Sequence, residues 1–574
     1  MTEDHTARPG AGGSVTRRGF LGSCATGAAA LLALSAFAVA AERPGTYRPN
    51  PAPPTDKRIG SNYTPAYAVN QVQMWHDFRP KVVEKELAAA RRYYGITMLR
   101  VFLHAINFRE DRENLLRNME TFLGLCARHD IQPGFVFFDD CHRHKGITLD
   151  RPTEPVKGYH NGRWAACPQD RTRKPESDAG LQAYVREVVG RYKADKRVLF
   201  WEIFNEPGRG AYSRALVAKG YKWAKGAGPT QPVLCCWNDG PHTDIVDAHN
   251  YSSAAAGWDK QADMNPRKGT VFTEAGARWY AGKSRSHGTP VEVIGWLSRR
   301  KAAGKSTPGA FLCWELMVGN SNCRWVWGTR RGSPEPTIPW CGLLWPDATP
   351  VSLAESEACL RYAAGKGRAL FFDDFHVPAA APKRAAARRP GWTYYGGAKA
   401  SGGSLSGFFA LGPHEKRIAG KEAWADYVVE ANVMLKEATG NAGLVFRACR
   451  PGDGTDRMRG YYVGFDTSTL FLGRMNNDWK ELARCDLRKL ECKVAPGSWC
   501  LLRVAAQGNA IKVWFNRMHG ERNAGLRIHH KDTDAPMLRG AVGVRTHNAS
   551  AWFDDVVVLP LDARDAAILG EPSP

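Results

Sequence analysis

Phe200-Trp201-Glu202-Ile203-Phe204-Asn205-Glu206-Pro207 is the stretch on which the reading of the chain turns. It begins as a short apolar run, fit for a strand buried on both faces. It ends at a proline, which has no N–H to continue a ladder. At the stop sit an amide and a carboxylate, side by side. A buried strand whose C-terminal tip carries polar groups is the repeating element of a parallel (β/α)8 barrel, where working side chains collect at that end. A second such tip is Thr270-Val271-Phe272-Thr273-Glu274-Ala275-Gly276. One glutamate at a strand end is ordinarily a solvated carboxylate. Two, each closing an apolar run, point to a shared site.

Working outward, strands and helices alternate from Arg58 onward. Strands are expected at 59–63, 97–104, 134–138, 233–237, 247–251, 271–274 and 310–315, besides the one quoted above. Helices are expected at 82–94, at 114–128 and at 353–364. Leu181, Tyr184, Val185, Val188, Val189 and Tyr192 recur at helical spacing, which marks a core-facing stripe. Eight alternations over about 310 residues fit a TIM barrel at 57–368 better than an open doubly wound sheet. No glycine-rich dinucleotide or phosphate loop follows an early strand. A loop of nearly forty residues runs from the third strand to about Ser177, a length that suits the wall of a cleft, with Trp164 in it.

After Leu370 the texture changes. Helical periodicity fades and short alternating runs appear at 427–433, 443–447, 461–465, 499–504, 511–515 and 541–545, the pattern of an all-β sandwich over 370–562. Phe371-Phe372-Asp373-Asp374-Phe375 and Trp552-Phe553-Asp554-Asp555-Val556 read as two strands able to pair and bring the domain's ends together. The basic stretch Lys383 to Arg389 reads as an exposed loop.

The first forty residues read as an export leader rather than as structure. Thr16-Arg17-Arg18-Gly19-Phe20-Leu21 is a twin-arginine signature, followed by an apolar run to Val39 and a small-residue cleavage site at Ala38-Val39-Ala40. A Pro-rich linker follows at 41–56. No later stretch is long and apolar enough to span a bilayer, so a soluble periplasmic or secreted protein without membrane insertion is expected. The formal charge of +22 suits acidic polysaccharides or simply a basic solvated surface, and no nucleic-acid-binding motif accompanies it. The 14 cysteines include no CxxC or zinc-type spacing, so no metal is expected. Export permits a Cys313–Cys323 or Cys485–Cys492 disulfide; folding before export suits reduced, buried thiols equally. The 19 tryptophans fit either sugar stacking or an aromatic-rich core.

Two carboxyl groups facing one another across a barrel mouth suit the breaking of a glycosidic bond: one protonates the departing oxygen and the other stays ionised. Asn205-Glu206-Pro207, with Glu274 on a later strand and Trp314 on the last, resembles the retaining glycoside hydrolases of clan A, most closely glycoside hydrolase family 5, over residues 58 to 365. The resemblance implies Glu206 as acid/base and Glu274 as nucleophile. It implies that Asn205 bonds a sugar 2-hydroxyl and that Arg100 keeps the nucleophile ionised. His249 would contact the acid/base region or substrate, Tyr251 would orient Glu274, and Trp314 would stack under a sugar. Two departures stand out. Glu206 and Glu274 are only 68 residues apart (274 − 206), and the third strand ends Asp139-Asp140-Cys141-His142 where the family commonly offers a histidine. Asp140 and His142 are both candidates for that substrate-binding place. Asn62, Asn70 and Trp75 are weaker cleft candidates. Glu202 is expected to pair with an arginine inside the barrel, and Glu315 to support the site from beside Trp314.

The C-terminal stretch, through Asn441 to Arg447 and Phe553-Asp554-Asp555-Val556, resembles laminin-G/concanavalin-like domains, which bind sugar or serve structurally. Arg447, Tyr461, Trp479 and Trp514 are its possible sugar contacts. The whole reads as an exported, cellulase-like retaining β-glycoside hydrolase acting on a poly- or oligosaccharide without a cofactor. The rival is a non-catalytic polysaccharide-binding protein on the same barrel. Oligomeric state is not legible.

Overall fold

The computed structural model describes residues 58–561 apart from 142–146, 150–153, 169–177, 238–239, 253–254, 281–283, 286–288, 376–388, 397–407 and 522. The leader, the linker, His142 and most of the basic stretch before Arg389 lie outside the described residues. Eight parallel strands close a barrel in chain order: β1 (Arg58–Asn62), β2 (Met98–Phe102), β3 (Gln132–Asp139), β4 (Trp201–Asn205), β5 (Val233–Cys236), β6 (Val246–His249), β7 (Thr270–Ala275) and β8 (Ala310–Cys313). Helices ring it, and the first long one shows why. Pro80 opens Pro80–Tyr94 with its missing N–H at no cost, Val83, Leu87, Ala90 and Tyr94 face the barrel, and Gly95 ends the helix in a left-handed turn.

The barrel interior is layered. Met98, Phe200, Leu234, Val271 and Leu312 form an apolar plug at the N-terminal end. A Cβ on Gly134 would lie 2.3 Å from the Phe200 ring, so glycine there makes the plug possible. Above the plug the lining turns polar, with Arg100, Glu202 and Asp247 all buried. On β7 the register slips: Ala248 pairs with Phe272 but His249 pairs with Glu274, which leaves Thr273 as an extra residue. Side chains of a regular strand alternate in direction. The bulge lets consecutive Thr273 and Glu274 both turn inward.

Past the last barrel helix, Leu353–Ala364, two seven-stranded antiparallel sheets form the sandwich. Phe371, Phe372 and Asp373 pair with Val558, Val557 and Val556, so the domain's ends do meet. The two domains share a core, in which Val428, Ala505, Trp514, Val557 and Leu559 pack with the barrel's outer residues. Buried Glu430 ties the joint. It accepts from Leu353 N at 2.7 Å and from Arg503 Nε at 2.7 Å. Thirteen described cysteines are all free thiols, the four considered for pairing included. No helix among the described residues is long and apolar enough to cross a membrane.

Candidate active site

Arg100 organises the barrel mouth. Nothing of its side chain is exposed, so its donors must be met by protein. Nε and Nη2 fork onto Glu202 at 2.6 and 2.5 Å. Nη2 also reaches Asn205 Oδ1 at 2.7 Å, while Nη1 donates to Asn62 Oδ1 at 2.9 Å and Glu274 Oε1 at 2.8 Å. The arginine expected to partner Glu202 is therefore the one that holds Glu274. Asn62 belongs to this network and also donates to Thr273 O at 2.7 Å.

Glu274 accepts a second strong bond, from Tyr251 OH at 2.6 Å. Burial pushes its carboxyl above the usual range, opposed by His249, Arg100 and the Tyr251 bond. Glu206 follows β4 in a left-handed conformation, φ 42°, uncommon for a residue with a side chain. Its Oε1 lies 2.8 Å from His249 Nδ1, and that nitrogen is 3.4 Å from Glu274 Oε2. One carboxylate oxygen of each glutamate and a ring nitrogen of His249 all fall within 4.8 Å of one another. The Glu206 side chain is 14% exposed against 7% for Glu274, so it stands nearer the solvent. Burial lowers the His249 pKa to about 4, which makes it a neutral imidazole near pH 7.

A buried string of polar groups supports these residues from β3. Asn205 Nδ2 donates to Asp139 Oδ1 at 3.2 Å, and Trp164 Nε1 donates to Asp139 Oδ2 at 2.6 Å. Burial raises the Asp139 pKa to about 7. Asp140 Oδ2 accepts from Gly208 N at 3.1 Å and Ser213 Oγ at 2.5 Å, so it braces the turn that carries Glu206. Cys141 follows at the same strand end, where burial first and the charge of Glu206 next push its thiol up. Trp314 packs edge-on against Phe102 and Trp164, with ring centroids at 6.0 and 5.9 Å, so Trp164 underlies the mouth instead of walling it. Glu315, behind Trp314, is buried with its pKa raised to about 7 by that burial, and it accepts from Ser321.

The structure therefore brings Arg100, Asn205, Glu206, His249, Tyr251 and Glu274 into one constellation, with Trp314 and Asp140 beside it. Asn70 and Trp75 stand apart. Asn70 caps the helix Gln71–His76, and Trp75 is core, its Nε1 bonded to Phe102 O at 2.7 Å. Three of the four sandwich candidates are internal as well. Arg447 and Tyr461 are fully buried and Trp514 sits in the domain joint, which leaves Trp479, 37% exposed. Sequence reasoning missed two exposed indoles. Trp237, 53% exposed, meets the His249 ring edge-on at 5.9 Å, and Trp327, 45% exposed, meets Tyr251 at 5.0 Å. Trp237 was detectable as an aromatic closing a strand; Trp327 lies in a long loop without periodicity.

The C-terminal sandwich matches a family model. It is described as a 3-keto-alpha-glucoside-1,2-lyase-like domain and matches residues 388–559. No curated protein matches the chain. Among solved structures, a GH5_18 protein from Streptomyces cattleya in complex with GlcNAc is 15% identical over 54% of this chain and 80% of its own, with a TM-score of 0.38. An exo-beta-1,4-mannosidase from Opitutaceae bacterium strain TAV5 is 14% identical over 54% of this chain and 60% of its own, with a TM-score of 0.39. The carbohydrate binding module CBM66 from Bacillus subtilis is 18% identical over 29% of this chain and 95% of its own, with a TM-score of 0.24. Each is a distant likeness.

Proposed function

We propose that this protein is a retaining glycoside hydrolase that cleaves β-linked bonds of a poly- or oligosaccharide. The observation that carries the reading is the pairing of Glu206 and Glu274, with carboxylate oxygens within 4.8 Å of one another in the barrel mouth. Retaining enzymes hold their two carboxyl groups about 5–5.5 Å apart, too close for a water to enter between carboxylate and sugar. The environments of the two differ in the required sense. Glu274 receives Arg100 and Tyr251, donors that favour its ionised form. Like-charge repulsion between the pair is mutual, so the donors held by Glu274 leave the proton to Glu206, nearer the solvent.

In the first step Glu206 protonates the glycosidic oxygen while a Glu274 oxygen attacks the anomeric carbon, giving a glycosyl ester and a free leaving group. In the second, ionised Glu206 takes a proton from water, whose oxygen displaces Glu274 from the sugar. Asn205, held by Arg100 and Asp139, is placed to meet the sugar beside Glu274. The exposed indoles of Trp237, beside His249, and of Trp327, beside Tyr251, suit stacking on saccharide rings. The twin-arginine signature supports export, and polymers are met outside the cytoplasm.

Reducing-sugar release on a panel of β-glucans, β-mannans, xylans and acidic polysaccharides tests the reading, with Glu206→Ala and Glu274→Ala run alongside. Activity on one polymer that both substitutions abolish is the expected outcome. Polymer binding without turnover, retained in both variants, would make this a binding protein instead. Cell fractionation with N-terminal sequencing checks export, and a cytoplasmic, uncleaved chain would count against it.

A further inference from the structure

Beneath the glutamate pair runs a chain of groups that the reaction as described does not use. His249 Nδ1 faces Glu206, and its other nitrogen, Nε2, lies 3.0 Å from Thr273 Oγ1 and 3.3 Å from Cys236 Sγ. Thr273 Oγ1 in turn bonds Asp247 Oδ1. All of these groups apart from Glu206 are buried, and Asp247 Oδ2 has no hydrogen-bond partner among the described residues. The bulge on β7 is what aims Thr273 between the imidazole and this carboxyl.

A neutral imidazole carries one N–H, and a hydroxyl donates once. If Nδ1–H donates to ionised Glu206, Nε2 must accept, and Thr273 is placed to donate to it. The hydroxyl's proton is then spent, so its contact with Asp247 needs a proton from the carboxyl. An ionised Asp247 with one oxygen orphaned in the barrel would be costly. A protonated one completes the chain. Burial first and the Glu202 charge next push the Asp247 carboxyl well above the usual range, with Arg100 opposing.

We propose that Asp247 and Thr273 are positioning residues that act through His249: protonated Asp247 donates to Thr273, Thr273 donates to Nε2, and the imidazole is held with Nδ1–H toward Glu206. The consequence is a balanced acid: repulsion from Glu274 favours protonated Glu206, the Nδ1–H bond favours its ionised form, and the orientation of the imidazole sets which prevails. The other titratable groups around the imidazole and Glu206 include Arg100 from β2, Asp139 of β3 and Cys141 just beyond it, Glu202 from β4, Cys236 from β5, Tyr251 beyond β6 and Glu274 from β7. Of the groups around Nε2, Thr273 and Cys236 alone among the described residues bond it, and a thiol is a weak donor.

The inference rests on the hydrolase reading for its kinetic test, but one of its measurements does not. In the full mature protein, Thr273→Val removes the hydroxyl at nearly constant shape, and Thr273→Ser restores it. The basic limb of the pH profile of kcat/KM, where Glu206 loses its proton, should move up by about one pH unit in Thr273→Val. It should return to the wild-type position in Thr273→Ser. Asp247→Asn, whose amide N–H stands in for the carboxylic proton, should leave the limb in place. Histidine 15N chemical shifts, read without substrate, should show His249 protonated at Nδ1 in the wild type and not fixed there in Thr273→Val. A limb that stays put in Thr273→Val, a shift that Thr273→Ser does not reverse, or Nε2 protonation in the wild type would overturn the proposal. A limb moved as far by Asp247→Asn as by Thr273→Val would do the same, since the charge of Asp247 would then be the active feature. An enzyme inactive on every substrate would refute the hydrolase reading and leave the 15N result to decide this one.

Discussion

Tyr251→Phe isolates one hydrogen bond at the reacting carboxylate. The phenol donates to Glu274 Oε2 at 2.6 Å, while its ring stacks on Trp340 at 5.9 Å and meets Trp327 edge-on at 5.0 Å. Phenylalanine keeps the ring contacts and removes the donor alone. A hydrogen bond to a charged group contributes about 1.5–3 kcal/mol. At about 1.4 kcal/mol per pKa unit, its loss should raise the Glu274 pKa by about one to two units, on top of the rise that burial already imposes. The nucleophile works ionised, so the acidic limb of the kcat/KM profile should move to higher pH by that amount. The basic limb should hold, because the single hydroxyl proton of Tyr251 goes to Glu274 while Glu206 is met by His249. Initial rates on the best polymer of the panel, at half-unit steps from pH 4 to 9, would measure both limbs. An unmoved acidic limb, or a uniform loss of rate at all pH values, would refute the assignment of this bond to the ionised nucleophile.

Two further predictions concern the frame around the site. Glu86, buried against Tyr63 OH at 2.7 Å, has its pKa raised by burial from 4.5 to about 8. The folded state therefore holds a proton that the unfolded state gives up, and wild-type stability should fall relative to Glu86→Gln by up to about 5 kcal/mol as pH rises from 4.5 to 8. Denaturant titrations across that window would show it, and parallel curves would contradict it. Glu430→Ala leaves the Arg503 guanidinium in the domain joint without its carboxylate partner. The substitution should cost about 3–5 kcal/mol. Equilibrium unfolding measures that cost, and a change below about 1 kcal/mol would mean that the pair is replaceable by water.

Much of the barrel was legible because its strands are apolar runs that end in polar tips. Phe200 to Pro207 and Thr270 to Gly276 carry that pattern plainly, and the expected helix at 353–364 coincides with Leu353–Ala364. What escaped the reading has physical causes. Trp479–Asp486 is an edge strand with no buried residue and half of its residues exposed, so it lacks the alternation that betrays a half-buried strand. The short helices Gln71–His76 and Ala105–Glu110 are too brief to show a period. Within the site, Arg100, His249 and Tyr251 were reached through resemblance, and their hydrogen bonds join residues far apart in the chain. The bulge that turns Thr273 inward beside Glu274 is a register shift between two strands, which no single stretch of sequence displays. Asp140 showed the limit of reading a strand end by residue type. A carboxylate there looks ready for substrate, yet it holds Gly208 and Ser213.

The most direct test of the central claim is the stereochemistry of the first product. Proton NMR of the anomeric region, recorded in the first minutes of hydrolysis before mutarotation, identifies the anomer released. With the carboxylate oxygens of Glu206 and Glu274 within 4.8 Å of one another, a β-linked substrate should release the β-anomer first, and the α signal should grow only as the sugar mutarotates. Initial release of the α-anomer would mean that water attacks directly across a wider gap, and Glu274 as nucleophile would be wrong.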